Sequence, residues 1–335
     1  MTAHPSPDAP LPLLAAAFFL PPRLTPARVR RDRRYRALER GRFIAWFLFL
    51  PLLVYAVLVV SPFLQAFYYS LTDWTGTSPE YRLVGLENYR RLWHDEDFWS
   101  ATRNSLLLLA AAPLITLGLG LFLAGMLHAG GRRRRGRAFT GVAGARLYAV
   151  VLFFPQVLSL AVVAVIFDRV LSPRGGILNE GLGAVGLGSW RQDDWLGGDL
   201  ALWCVLGVLC WSFTGFYVVL FSAAMGAVPG EIHEAALLDG AGRGTAFFRI
   251  TLPLIGETVR TGWIYMGIQA LDCFALVAVM VPAHGMDVLP TYLYETAMRD
   301  SQAGYATAIG VVLFLVTLLF TALLLRLGPR ERHEY

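Results

Sequence analysis

Charge is missing from five long stretches of the chain. Thirty uncharged residues lie between Arg42 and Asp73, 28 between Arg103 and Arg132, 21 between Arg146 and Asp168, 31 between Asp199 and Glu231, and 25 between Asp300 and Arg326. A sixth stretch, Thr261 to Met286, is interrupted only by Asp272. About 20 mostly apolar residues in a helix cross about 30 Å of hydrocarbon, and a helix satisfies its own backbone there. The pattern therefore predicts spans near 43–67, 105–127, 147–167, 201–226, 261–282 and 303–325. The expected fold class is an all-α integral membrane protein with six transmembrane helices.

Composition agrees. Of 335 residues, 56% are hydrophobic and 16% charged, against about 25% charged in soluble domains. So much apolar surface excludes disorder over most of the length. The net charge of +5 would suit nucleic acid if it were clustered, but it flanks the spans. All 29 basic residues are Arg, and 21 of them fall on one side of a six-span topology against 8 on the other. Because basic loops are retained inside, both termini and the loops at 128–146 and 227–260 are expected to be cytoplasmic, in a multi-pass protein of the cell membrane. Cys204, Cys210 and Cys273 all sit in apolar stretches. They read as small buried hydrophobes without metal-ligand spacing.

Residues 1–42 read as a basic cytoplasmic tail, mostly disordered, and 328–335 as a second short tail. The apolar run Leu11 to Leu20 is too short to span, and it lacks the flanks of a signal peptide. The stretch Arg28 to Arg42 suits anionic headgroups, although a topological anchor explains it equally well. On the opposite side, Asp73 to Arg103 carries Trp74, Tyr81, Tyr89, Trp93, Phe98 and Trp99, which suits short interfacial helices. Asp168 to Asp199 is Gly-rich and predicts a turn-filled loop. Neither contains a recognisable chemical site.

The segment 229–253 reads PGEIHEAALLDGAGRGTAFFRITLP. Pro229 suits a first helical turn, and Glu231 and Glu234 lie where the helix dipole favours acids. Ile232, Ala235, Ala236, Leu237 and Leu238 supply an apolar face. Gly240 ends the helix, and Phe247, Phe248 and Ile250 begin a second amphipathic segment that leads to Leu252 and Pro253. Helix, glycine turn, helix is the expected form. One reading is a helix pair lying on lipid. The acids Glu231, Glu234 and Asp239 argue against it, since an anionic leaflet would repel them, and they favour docking to a protein.

Glu234-Ala235-Ala236, Asp239-Gly240-Ala241 and Ile250-Thr251-Leu252-Pro253 together resemble the EAA loop of ABC importer permeases, in the spelling of the carbohydrate-uptake branch. The likeness extends to Val84-Gly85-Leu86-Glu87-Asn88-Tyr89 followed by Phe98 and Asn104, to Gly176-Ile177-Leu178-Asn179, to Trp211-Ser212-Phe213-Thr214-Gly215-Phe216 and to Gly304-Tyr305-Ala306-Thr307-Ala308, so that it covers residues 43–327. One departure is the run Val281 to Met286, where such sugar permeases have Thr-x-Gly-Gly-Pro. The resemblance implies a permease domain over 43–327 whose coupling loop, 229–253, docks in an ATPase cleft through Glu231, Glu234, Ala235, Ala236, Asp239, Gly240, Ala241, Leu252 and Pro253. It further implies a second permease subunit, two ATP-binding subunits and an extracytoplasmic solute-binding protein. The chain itself has no phosphate-binding G-x-x-x-x-G-K-[ST] loop, so ATP is expected on the partner subunits, with no cofactor, metal or catalytic residue here.

Within the spans, acids are expensive and point to function. Asp272, with Gln269 on the same helical face, is a candidate for the solute path, and a helix–helix hydrogen bond is the competing reading. Trp211, Ser212, Thr214 and Tyr217 offer an aromatic surface and hydroxyls that suit a sugar ring, with ordinary packing as the alternative. Gln156, beside Pro155, is a further candidate. The six spans contain no basic residue, which favours an uncharged sugar or oligosaccharide over a glycerol phosphate. A polyol, or an ATP-independent secondary transporter, are the other readings. The last should dispense with the 229–253 segment.

Overall fold

The computed structural model describes residues 26–129, 144–186, 194–281 and 286–327. The expectations for the first 25 residues, for Arg132 to Arg135, for the C-terminal tail and for 282–285 lie outside them. Compactness divides the chain between Leu64 and Gln65.

The first unit contains α1 (Pro26–Tyr55), a π-helical turn (Ala56–Val60) and the start of α2 (Ser61–Tyr69). The basic stretch up to Arg42 is therefore helical, where the sequence suggested a mostly disordered tail. Pro26 suits the first turn and the Arg, Ala, Leu and Glu that follow are good helix formers, so the span propagates outward through them. From Gly41 to Tyr69 the helix is long and apolar enough to cross a membrane.

In the second unit the described regular structure is helical, save for one antiparallel bridge between Thr72 and Leu83. A short α3 (Glu87–Trp93) precedes α4 (Glu96–Ala129). The helix α4 begins nine residues before the expected span because Asp95 caps it, accepting from the N–H groups of Asp97 at 3.0 Å and Phe98 at 3.2 Å. Glu96 and Asp97 add favourable charge to its first turn.

The expected spans at 147–167 and 261–282 are not straight. The first is α5 (Ala145–Phe153), a 3-10 turn (Phe154–Val157) and α6 (Leu160–Val170), bent by 93°. Pro155 in that turn lacks a donor, and Leu158 and Ser159 are extended. Ser159 Oγ then accepts from Val162 N to restart the helix. The second is α12 (Gly256–Leu271) and α13 (Phe274–Met280), bent by 40°. Between the two bends, the expected Gly-rich loop holds a helix, α7 (Ile177–Ala184), tied down by Asn179, whose Oδ1 accepts from Trp195 Nε1 at 2.6 Å. Counting each bent pair as one span, the described residues include up to six segments long and apolar enough to cross a membrane.

The central helix is α8 (Ala201–Gly226). Val205, Leu209, Phe213, Tyr217 and Phe221 recur every four residues along it and are buried, so one continuous stripe packs on its neighbours α4, α5 and α12. At Gly215 the contact is backbone to backbone: a Cβ there would sit 1.8 Å from the Leu152 carbonyl oxygen. Small residues allow such approach between helices that have no hydrophobic force drawing them together in lipid. The remaining helices are α9 (Gly230–Leu238), α10 (Arg243–Ala246), α11 (Leu252–Leu254), α14 (Leu289–Met298) and α15 (Ala303–Leu327).

Candidate functional site

Helix α9 follows Pro229 and ends in a left-handed turn. Gly240 has φ +78°, and Ala241 N–H donates to the Ala236 carbonyl at 2.9 Å, six residues closing one ring. This is the bond pattern of a glycine-terminated helix. A Cβ on Gly240 would meet nothing within 4 Å, so glycine is required here by backbone conformation and not by space.

The exposure pattern of α9 is one-sided. Ala236 is buried, whereas Glu231, Glu234, Ala235, Asp239 and Gly240 are exposed. Leu238 is 89% exposed among them. An apolar knob ringed by three acids is suited to a protein surface and unsuited to an anionic membrane.

After the turn, Gly242 is extended and accepts from Ala246 N–H at 2.9 Å to start α10. A π-helical turn, Phe247–Thr251, leads into α11 and α12. Pro253 has no N–H to return to the Arg249 carbonyl, which favours the wider turn before it, and Thr251 Oγ1 donates to the Ala246 carbonyl at 3.3 Å. The sequence placed Phe247 and Phe248 in one amphipathic segment. The structure separates them: Phe247 packs into the main core and Phe248 is 68% exposed. Leu252 is half-buried and Pro253 exposed.

The solute-path candidates divide. Ser212 is buried and donates to the Val208 carbonyl at 2.9 Å, and Thr214 donates to the Cys210 carbonyl at 2.7 Å. Tyr217 is buried and donates to the Gly262 carbonyl at 3.1 Å. The hydroxyls of Ser212 and Thr214 are bonded back to their own helix, and only that of Tyr217 reaches across, from α8 to α12. Trp211 is half-exposed, with its ring edge-on to Phe167 at 5.2 Å. Gln269 is half-buried on the last turn of α12, and Asp272 is exposed in the break between α12 and α13. Gln156 lies in the other break, half-buried beside the buried Pro155. Gln156 and Asp272 thus stand in the two breaks of the bent helix pairs. Among the described residues no group of three or more His, Cys, Asp or Glu is placed to hold a metal.

Sequence reading missed one cluster. Asp95 Oδ2 accepts from Tyr292 OH at 2.6 Å and from Tyr305 OH. The Arg91 guanidinium lies 4.2 Å over the Tyr305 ring and donates to Gln302. Nearby, Asn88 donates to the carbonyls of Ser70 and Thr72, Asn104 to that of Asp287, and Gly304 N–H to that of Trp74. Asn104, Gly304 and Tyr305, from two of the motifs that resembled the permease family, thus join a buckle that ties 70–105 to 286–309. The partners are 197 and 210 residues from Asp95, which no local pattern reveals; the shared motif membership of Asn104 and Tyr305 was the available signal.

Burial alone would raise the Asp95 carboxyl, but the hydroxyls of Tyr292 and Tyr305 and the N–H groups of Phe98 and Asp97 outweigh it and hold it below its ordinary value. Its folded value therefore lies below its unfolded one. The stabilisation is present above the unfolded carboxylate range and is lost as pH falls through the lowered value. Asp95→Asn should lower the melting point in detergent at pH 7 by an amount equivalent to roughly 1–2 kcal/mol, after allowance for partial exposure. The gap between variant and wild type should close on acidification, and an equal gap at all pH values would remove the charge from the account.

Residues 116–333 match the family described as binding-protein-dependent transport system inner membrane component. The chain is 42% identical over 299 residues to the diacetylchitobiose uptake system permease protein NgcF of Streptomyces coelicolor, covering 88% of this chain and 84% of that one. It is 30% identical over 298 residues to the multiple sugar-binding transport system permease protein MsmF of Streptococcus mutans, covering 87% and 97%. A chain of a bacterial alginate ABC transporter, solved in complex with an alginate pentasaccharide-bound periplasmic protein, superposes with a TM-score of 0.74 at 20% identity, covering 89% and 98%. At that identity the likeness shows the fold.

Proposed function

Since the chain belongs to the family of binding-protein-dependent transport system inner-membrane components and is a multi-pass permease subunit of a sugar ABC importer, we propose that it moves an uncharged oligosaccharide by alternating access. The passage would be shared with a second, similar permease. Two ATP-binding subunits supply the free energy and an extracytoplasmic solute-binding protein delivers the sugar. The likeness to a diacetylchitobiose permease makes that amino-sugar disaccharide the first substrate to try, and the absence of Arg from the spans speaks against a phosphorylated one.

The observation that carries the mechanism is the one-sided α9 with its Gly240 turn. Glu231, Glu234, Ala235, Ala236, Asp239, Gly240 and Ala241 form the element that enters a cleft of the ATPase subunit, and Leu252 and Pro253 join it to α12. Closure of the ATPase dimer on nucleotide displaces this element, and the displacement biases the spans between two states. Both termini and α9 then face the cytoplasm, residues 43–327 form the permease domain, and ATP binds only the partners. Asp272, Gln269 and Trp211 are the residues assigned to the solute path.

Co-expressed with its partner subunits and reconstituted in proteoliposomes, the protein should accumulate labelled diacetylchitobiose only with the binding protein outside and ATP inside. Glycerol 3-phosphate should not be taken up. Uptake driven by an ion gradient in the absence of ATP would refute the reading.

A further inference from the structure

Beyond α9 itself, a second contact joins the 229–255 segment to the bundle. Phe247 stands in the π-helical turn, and its ring edge meets α4 near that helix's C-terminal end. A Cβ built on Gly125 would lie 3.2 Å from Phe247 Cε2 and 3.7 Å from Cδ2 and Cζ. The ring therefore rests on the bare backbone of α4. Its surroundings hold it there: Ala246, Thr251 and Ile255 are buried around the turn, and Phe247 packs against the main core.

The chain connects α9 covalently to α8 on one side and, through α10 and α11, to α12 on the other. It gives α9 no such connection to α4, whose neighbours in sequence are α3 and the 130–143 loop. α4 packs along both α8 and α12, so part of any displacement reaches it through those helices. We propose that Phe247 and Gly125 form a direct positioning contact that delivers the rest of the coupling segment's displacement to α4. This rests on the coupling role assigned to the segment above. A ring in van der Waals contact with glycine transmits a push because packed interiors are nearly incompressible, and the missing side chain at Gly125 sets the depth to which the ring seats.

The test uses the assembled transporter with Cys204, Cys210 and Cys273 replaced by alanine. Spin labels go on two pairs of exposed positions: Met126 with Leu325, reporting α4, and Phe248 with Leu325, reporting the coupling segment; these side chains are 56%, 57% and 68% exposed for Met126, Leu325 and Phe248. In the otherwise unaltered protein, ATP–vanadate should shift both distances. In Phe247→Ala the segment's shift should persist while the α4 shift is reduced. Gly125→Ala puts a methyl 3.2 Å from Phe247 Cε2, which the ring meets by giving a few tenths of an ångström, so the contact is kept and the α4 shift should persist. Gly125→Ala combined with Phe247→Ala should show the same reduction as Phe247→Ala. An α4 shift of undiminished size in Phe247→Ala would overturn the proposal. Should the Phe248 pair itself stay still in the unaltered protein, the coupling reading fails, and this proposal with it.

Discussion

Glu234→Arg is expected to abolish ATP-dependent uptake while leaving the protein at its normal level in the membrane. Glu234 is exposed on α9 and makes no ion pair among the described residues, so reversing its charge removes nothing from the fold. At a docking interface the same change places like charge against a surface selected for the opposite sign. Losses of about 2–5 kcal/mol are typical of a mispaired interfacial charge, or roughly 30-fold to several thousandfold in affinity. Gly240→Val should have a comparable effect by another route. Its φ of +78° is costly for a β-branched residue, by roughly 1–3 kcal/mol, so the turn would rotate and α9 would be presented at the wrong angle. Gly240→Asn, which tolerates the left-handed region, should retain much of the activity. The measurement is uptake together with ATPase stimulation by the loaded binding protein. Full transport in both Glu234→Arg and Gly240→Val would leave α9 without a coupling role.

The second large effect concerns the seam between α5 and α8. A Cβ at Gly215 would lie 1.8 Å from the Leu152 carbonyl oxygen, 2.3 Å from its carbon and 2.7 Å from Phe153 N. All three are backbone atoms, so no rotamer can move aside. Accommodating even one methyl requires α5 to withdraw from α8, opening the core where Phe213 and Tyr217 are buried. Overpacking typically costs 1–3 kcal/mol where side chains can adjust; here they cannot, and a loss of more than about 3 kcal/mol is expected. Gly215→Ala should therefore yield little monodisperse protein in detergent. The matched control is Gly207→Ala on the same helix, where a Cβ meets nothing within 4 Å; it should be neutral or slightly stabilising through helix propensity. If the two variants were recovered equally, the close approach of α5 would be refuted.

Much of this architecture was legible before any coordinates. The four straight spans follow from the uncharged runs, because in hydrocarbon a charge-free segment of that length has one backbone solution. The start and end of α9 were legible because their punctuation is local: Pro229 precedes it, Glu231 lies in its first turn and Gly240 closes it. The failures share one cause. The bends at 154–159 and 272–273 leave the apolar run almost unbroken, since Leu158 and Cys273 are as apolar as their helical neighbours. Hydropathy records burial in lipid or protein and is blind to backbone direction. Pro155 hinted at the first bend but could not give its 93°. Which of Phe247 and Phe248 would be buried was not legible either, since residues adjacent in a helix differ by about a quarter turn that only the packing around them resolves.

What the sequence determined by itself is what depends on neighbours within a turn or two: which segments are helical and membrane-length, and where one helix is capped and turned. Tertiary structure decided everything that depends on distant partners. It assigned the Tyr217 hydroxyl to the Gly262 carbonyl, 45 residues away, and left Asp272 exposed in a break. It also drew Tyr292 and Tyr305 onto Asp95 and seated Phe247 on Gly125. Hydrophobicity is a property each residue carries alone and can be summed along a chain, whereas hydrogen bonding and close packing are properties of pairs, and pairs separated by some 200 residues exist only once the helices have met.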